Sequence, residues 1–572
     1  MQPQPNEYFT HIEPRACDGF RYSYRLDGGP PRPDPASRWQ PDGVHHPSAV
    51  HSPNRFEWAH NDWMGLSREQ LIIYELHVGT FTSQGTFDAV IPRLEVLREL
   101  GVTAIELMPV AQFPGTRGWG YDGVHPYAVQ NNYGGPAGLQ RLVDACHRVG
   151  LGVILDVVLN HLGPEGNYLA EFGPYFTERY HTPWGQAINY DDRGSDAVRD
   201  FFVRSIRQWV RDFRVDGLRL DAVHAIFDQS PKHILREIKE AADEEANLAG
   251  RTVHVIAESN QNDVRLLDLP ERGGYGLDAV WSDDFHHSVH TLLTGERVMY
   301  FADFGDPEDL AKSLNQTFVY DGCYSVYRGR RHGAPAAGYS TDRFVVSIQN
   351  HDQVGNRPAG DRLSALVRPA AQRLAAGLLL FSPHIPLLFM GEEYGETRPF
   401  PFFSSFLDPQ LSEAVSRGRR KEFVESGWSS ETLDPQSEAT FNAAKLQWEW
   451  PEGSVHAGLR RLYYDLLAIR KYWLPLRESR RHEACLLLYD GQASVLRFDR
   501  RASAGSVTLK IVACFNLTAR PQPLRTDDLS ETHLLLSSEV ELFGGSRSEA
   551  EPLNVLLPFE FLLFGPVKET EP

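Results

Sequence analysis

Between residues 70 and 395 the chain alternates short apolar runs with longer stretches in which apolar residues recur every three or four positions. A short apolar run bounded by polar residues reads as a strand buried on both faces, and the 3.6-residue recurrence reads as a helix laid against it. Eight runs qualify as strands, at residues 71–78, 103–108, 153–158, 217–220, 253–257, 279–281, 344–348 and 386–390. Helical stripes lie between them at Val90, Leu94, Leu97 and Leu100, at Leu139, Leu142 and Ala145, and at Phe202, Ile206 and Val210. Eight βα repeats over ~250 or more residues predict an α/β fold closed into a (β/α)8 barrel. The most apolar stretch, residues 378–390, is interrupted by Pro383, His384 and Pro386, so it reads as a helix end followed by a buried strand and not as a membrane span.

The texture changes at both ends. After residue 480, β-rich runs at 493–498, 507–515 and 555–564 are separated by polar turns, which predicts a C-terminal antiparallel β-sandwich. Residues 1–65 carry Pro30, Pro31, Pro33 and Pro35 and one strand pair near 20–26, too little for a core of their own. A chain of 572 residues exceeds what one core supports. The division expected is therefore 1–65 as a β segment and linker packed on the barrel, 66–480 as the barrel with loop insertions, and 481–572 as the sandwich.

Charge and cysteine content narrow the partners. A formal net charge of −19, with no basic block, repels nucleic acid and anionic membranes, whereas a neutral substrate such as a sugar needs no electrostatic capture. Cys17, Cys146, Cys323, Cys485 and Cys514 are scattered and form no CxxC pair, so no disulfide framework or structural zinc is expected. No basic segment followed by an apolar one opens the chain. Together these features give the expectation of a cytoplasmic protein.

In such a barrel, chemistry sits at the C-terminal ends of the strands. The third strand runs into Asp156 and on to Asn160-His161, the fourth ends at Asp221, the fifth at Glu258, and the seventh leads to His351-Asp352. Side chains alternate along a strand, so Arg219 and Asp221 share a face, and the guanidinium can hold the carboxylate ionised. Glu258 follows the apolar run 253–257, where desolvation and neighbouring carboxylates raise its pKa as a general acid requires. One anion and one acid make the retaining glycosidase pattern. The run His286-His287-Ser288-Val289-His290 has metal-ligand spacing but lacks the glutamate of an HExxH site, so neither metal nor cofactor is expected.

Four ordered segments, Asp156-Val157-Val158-Leu159-Asn160-His161, Gly217-Leu218-Arg219-Leu220-Asp221-Ala222-Val223-His224, Ala257-Glu258-Ser259 and Gln349-Asn350-His351-Asp352, resemble the sequence regions of the α-amylase superfamily over residues 70 to 480. The resemblance implies Asp221 as nucleophile, Glu258 as acid/base and Asp352 as the carboxylate that grips ring hydroxyls. It also implies that His161, Arg219 and His351 bind the sugar at the cleaved bond, with Tyr121 and Asp122 beside it and the tyrosine ring stacked on the pyranose face. Further strings, among them 74–81, 160–168, 281–287, 328–333 and 351–357, resemble the malto-oligosyltrehalose trehalohydrolase family within that superfamily. That likeness implies hydrolysis of the α-1,4 bond beside a terminal trehalose, downstream of a mutase that forms malto-oligosyltrehalose. It also implies a cleft lined by Arg219, Leu220, Ala222, Val223 and His224, by Asp283, Asp284, Phe285, His286 and His287, and by His351, Gln353, Val354, Gly355 and Asn356. Asp283, Asp284, His286 and Gln353 offer the donors and acceptors that a trehalose site needs. Departures are Leu159 in place of an aromatic, Asn260 in place of an acid, and an N-terminal β-sandwich of which only the last portion is present. The alternatives carried forward are a glycogen branching enzyme and a non-catalytic glucan-binding paralogue.

Overall fold

The structure, a computed structural model, describes residues 1–4, 8–425, 427–428, 432–473, 476, 483–489, 492–504, 507–525, 529, 532–548 and 551–566. Its centre is a closed barrel of eight parallel strands. They are β1 (Ile73–Leu76), β2 (Ala104–Leu107), β3 (Gly152–Val157), β4 (Gly217–Leu220), β5 (His254–Ala257), β6 (Ala279–Trp281), β7 (Phe344–Ser347) and β8 (Ile385–Phe389), and β8 closes on β1. Each falls on an expected run: β4 and β6 coincide with it, and the other six are shortened or shifted by one or two residues at an end. The three expected stripes face the barrel from α1 (Leu94–Leu100), α2 (Gly135–Val149) and α3 (Ser195–Asp212), except that Val90 ends a separate short helix at Phe87–Val90, and every stripe residue is buried. The stretch 378–390 is the end of a helix at Pro369–Phe381 followed by β8.

The barrel interior is layered by strand alternation. Ile73, Ala104, Ile154, Ile256, Ala279, Val345 and Ile385 pack together at its lower end. Two residues further along four of these strands, on the same face, stand Glu75, Glu106, Asp156 and Glu258. The register then sets Asp156 of β3 opposite Arg219 of β4, and Glu75 of β1 opposite Glu106 of β2. An apolar plug thus carries a charged layer directly above it.

Among the described residues the N-terminal segment forms three short strand pairs, Gln2–Pro3 with Phe9–Thr10, Arg21–Tyr22 with Ser48–Ala49 and Tyr24–Arg25 with Pro31–Arg32, where the sequence suggested one. It is tied down through its polar side chains: Trp63 Nε1 donates to Asp216 at 2.8 Å, Trp39 Nε1 to Asn131 at 3.0 Å, and Arg32 pairs with Glu171 at 2.7 Å. At the other end β9 (Glu483–Tyr489), β10 (Gln492–Ala504), β11 (Val507–Asn516), β12 (His533–Ser537) and β13 (Phe561–Gly565) make an antiparallel sheet ordered β9-β10-β11-β13-β12. One face packs on the barrel helices through Phe498, Phe515 and Phe381. The other holds Val495, Val512, Leu562 and Phe564 against Leu524 and Leu556 of a small second layer. The run expected as one strand at 555–564 is broken into Val555–Leu556 and β13. Pro558 has no amide to donate, Phe559 is left-handed at φ 58°, and Glu560 folds back to accept from Leu557 N at 2.7 Å. The expected boundary at 480–481 lies outside the described residues.

Candidate active site

The fourth strand builds the centre. Arg219 is 1 % exposed, and its Nη1 donates to Asp156 Oδ2 at 2.8 Å and to Asp221 Oδ1 at 2.7 Å, while Nη2 lies 3.6 Å from Glu258 Oε2. The guanidinium is pinned from behind by the Trp281 ring, 4.6 Å away. Asn160 Nδ2 donates 2.9 Å bonds to the Asp221 carbonyl and to Oδ2, so both oxygens of that carboxylate are held. Asn160 is itself oriented by His161, whose Nδ1 meets Asn160 Oδ1. Just past the strand, Ala222 adopts φ 39°, ψ 50°, a left-handed geometry that costs a non-glycine residue roughly 1–2 kcal/mol. The distortion aims Ala222 N at Glu258 Oε2, 2.7 Å away, so the backbone next to one carboxylate holds the other.

These contacts separate the two acids. Burial pushes Asp221 up, but Arg219, Asn160 and His161 outweigh it and hold the carboxyl below its usual range. Burial also pushes Glu258 up; Arg219 opposes, Asp221, Asp283 and Asp352 add to the rise, and the result is about 8. Asp283 rises to about 7 through burial and the charge of Asp352. The site therefore presents an anion beside a protonated acid, a pairing that nucleophile and general acid demand.

The opposite wall is a chain of polar contacts. Burial acts to lower the His351 pKa, yet the charge and hydrogen bond of Glu75 raise it to about 9, and Glu75 also accepts from His351 N at 2.8 Å. His351 Nε2 meets Tyr121 Oη at 2.7 Å, and Tyr121 donates to Asp156 Oδ2 at 2.6 Å. The Tyr121 ring is stacked on His351 with centroids 5.2 Å apart. Beneath them Glu106 is driven far above the carboxylate range by burial and by the charge of Glu75, with neither oxygen hydrogen-bonded.

A cleft of about 740 Å³ opens over this floor and is bordered by Tyr121, Asp122, His161, Asp221, Ala222, His224, Glu258, Asp283, Asp284, His287, His351, Asp352, Gln353 and Asn356. The volume suits an oligosaccharide segment. Asp284 is committed elsewhere, because its Oδ2 accepts from Asn262 Nδ2 and from the backbone of Val319 and Tyr320 at 2.6–3.0 Å. Seven residues expected at the cleft do not border it. Leu220 alternates outward from the barrel, Phe285 and Val354 are buried in the core, and His286 is buried against His290 and Phe301. Val223 faces an adjoining cavity. Gly355 lies against Trp119, where a Cβ would stand 2.0 Å from the ring, so the position requires glycine for close packing. Arg219 lies beneath the floor and reaches the cleft through the carboxylates it holds.

Loops and an inserted helix supply further lining residues that were not among the expected site residues. Trp184, on the hairpin of Phe176–Thr182 and Gly185–Ile188, stacks on His161 at 5.1 Å and 20°. Tyr300, Tyr327, Arg328, Phe402 and Arg419 complete the rim. Tyr300, Tyr327, Arg328 and Phe402 lie in loops and short turns without strand or helix periodicity, and Arg419 lies on the helix at Pro409–Glu425, whose pattern does not link it to the barrel; a tryptophan in a polar segment such as Trp184 was the one signal available.

Comparison with known proteins gives the family. The family model of the α-amylase catalytic domain matches residues 52–184. A malto-oligosyltrehalose trehalohydrolase of Saccharolobus solfataricus is 48% identical over 512 residues, covering 87% of this chain and 87% of that protein. Another, from Rhizobium sp., is 48% identical over 557 residues, covering 96% of this chain and 91% of its own length. A solved structure from Salmonella typhimurium, assigned by its name to the alpha amylases, is 38% identical with a TM-score of 0.86 over 96% of this chain and 91% of that one.

Proposed function

Since the chain belongs to the malto-oligosyltrehalose trehalohydrolase family of α-amylase-type glycoside hydrolases, we propose that Asp221, Glu258 and Asp352 carry out a retaining hydrolysis at the barrel mouth. The bond cut is the α-1,4 linkage beside the terminal trehalose of malto-oligosyltrehalose, and the products are trehalose and a shortened malto-oligosaccharide. Asp221 attacks the anomeric carbon as Glu258 gives its proton to the departing glycosidic oxygen of the trehalose unit. The glycosyl ester on Asp221 is then opened by a water whose proton returns to Glu258, which restores both groups. Arg219 and Asn160 keep Asp221 ionised between turnovers. Asp352 and His351 hold ring hydroxyls, and Tyr121 with His161 under Trp184 provides apolar faces for the sugar. Asp283 and Gln353, 3.5 Å apart, offer paired acceptor and donor groups to the trehalose side.

One observation carries the reading: a single buried guanidinium reaches Asp221 at 2.7 Å and Glu258 at 3.6 Å, yet the first is held ionised and the second protonated. The substrate is produced by a mutase acting on the reducing end of the glucan. Among the described residues no helix is long and apolar enough to cross a membrane. Glycogen branching yields to hydrolysis because relatives 48% identical over most of their length carry the trehalohydrolase name. The test is product analysis on malto-oligosyltrehalose. Free trehalose is expected from the wild type and none from Asp221→Asn, whereas α-1,6 branches without trehalose would overturn the assignment.

A further inference from the structure

The helix at Pro409–Glu425, inserted between the last barrel strand and the C-terminal sheet, sends two side chains to the cleft wall, Arg419 and Glu422, and nothing above accounts for the arginine. Arg419 Nη2 donates to Asn356 Oδ1 at 2.5 Å and to the Gly355 carbonyl at 3.2 Å, and Nη1 pairs with Glu422 at 2.9 Å. Its guanidinium lies over Phe402 and Phe423, 5.2 and 4.9 Å from the ring centres, and the side chain is 14 % exposed. The Gly355 carbonyl also accepts from Phe402 N at 3.2 Å, so the segment 355–356 is gripped from two directions. On the far side of the same amide, Asn356 Nδ2 donates to Asp352 Oδ1 at 2.7 Å.

The chemistry of the three groups fixes one orientation. A guanidinium can only donate, and a carboxylate can only accept. An asparagine amide set between them must turn its oxygen to Arg419 and its nitrogen to Asp352. Among the described residues Arg419 is the one side chain that donates to Asn356 Oδ1, and it acts with Asp352: a flipped amide would set oxygen against carboxylate and nitrogen against guanidinium. We propose that Arg419 is a positioning residue for Asp352, acting through Asn356, and that this is what the inserted helix contributes to the site. The proposal rests on the assignment of Asp352 to sugar binding in the transition state.

The test is a cycle of Arg419→Met, Asn356→Ala and the double variant, assayed on malto-oligosyltrehalose. Methionine keeps apolar packing on Phe402 and Phe423 while removing every donor. Each single change should lower kcat about 10- to 100-fold with KM shifted far less, since misplacing a reacting group by about 1 Å costs about 10²-fold. The double variant should be no worse than the poorer single. Arg419→Lys, which still donates to Asn356, should recover part of what methionine loses. Losses that multiply in the double variant, Arg419→Met with wild-type kcat, or lysine no better than methionine would each overturn the proposal. Circular dichroism of each variant separates these results from misfolding. An inactive wild type would instead indict the functional reading itself.

Discussion

Arginine is buried against carboxylate at several places in this molecule, and the contrast between two of them, the barrel mouth and the flank of the C-terminal sheet, explains why the first is suited to chemistry and the second is not. Beside the sheet Arg547 meets Glu560 through Nε and Nη2 at 2.5 and 2.6 Å. Glu560 fills its remaining sites with Ser537 Oγ and Leu557 N, and Arg547 spends its other donors on carbonyls, including Val555 O at 2.6 Å. One cation answers one anion and every polar atom is used. At the barrel mouth a single guanidinium serves Asp156, Asp221 and Glu258 at once. Arg219 Nε, Asp156 Oδ1 and both oxygens of Glu106 are left without hydrogen bonds. Matched charges make a clasp; an excess of acids over one base forces protons onto some of them, and Glu258 is the one facing the cleft.

The largest expected effect lies on the crowded side. Asp221→Asn should cut turnover by at least about 10⁴-fold, the upper end for a positioned catalytic group, while thermal stability falls modestly, because a carboxyl held below its usual range supports the fold in its ionised form. Product release and a melting scan on the same sample check both halves. Next, Arg547→Ala strands Glu560 in the sheet and should cost about 3–5 kcal/mol in denaturant unfolding, with the kcat of the folded protein unchanged. A reversal of these two patterns would break the comparison.

Smaller effects sharpen it. Gly355→Ala forces a methyl into Trp119, and overpacking of that kind costs about 1–3 kcal/mol. Because residue 356 follows directly, kcat should fall with stability, which tests how far packing as well as charge aims the acids. Last is pH. Glu258 rises from 4.5 to about 8 on folding, so it acts as an acid only below that value and kcat/KM should be about halved at pH 8. The same shift means its contribution to stability is complete below pH 4.5 and is lost as pH climbs through about 8. Glu258→Gln should flatten that loss in denaturant titrations across the range.

Much of this was legible in the residues. The eight strands were readable because a parallel strand buried on both faces must be apolar throughout, and the acids because they end such runs. Leu220, Phe285 and Val354 were expected at the cleft because they share a segment with true lining residues. Strand alternation and helix facing remove them, and a likeness between segments carries no information about direction. Glu75 and Glu106 interrupt apolar strands with a carboxylate and were a visible signal, yet only the pairing of β1 with β2 shows that they are neighbours. Trp184 and Arg419 come from a hairpin and an inserted helix, where no periodicity links the residue to the barrel mouth. The strand at 555–564 was misread because an apolar run conceals the turn that Pro558 and Glu560 impose.

The account turns on Asp221 becoming covalently bonded to the sugar. Glu258→Gln given an α-maltosyl fluoride can form that intermediate, since fluoride departs without a proton, but lacks the base that clears it. Mass spectrometry of the digested protein should then find one maltosyl adduct, on the peptide containing Asp221. An adduct on any other carboxylate, or release of β-maltose with no adduct at all, would contradict it.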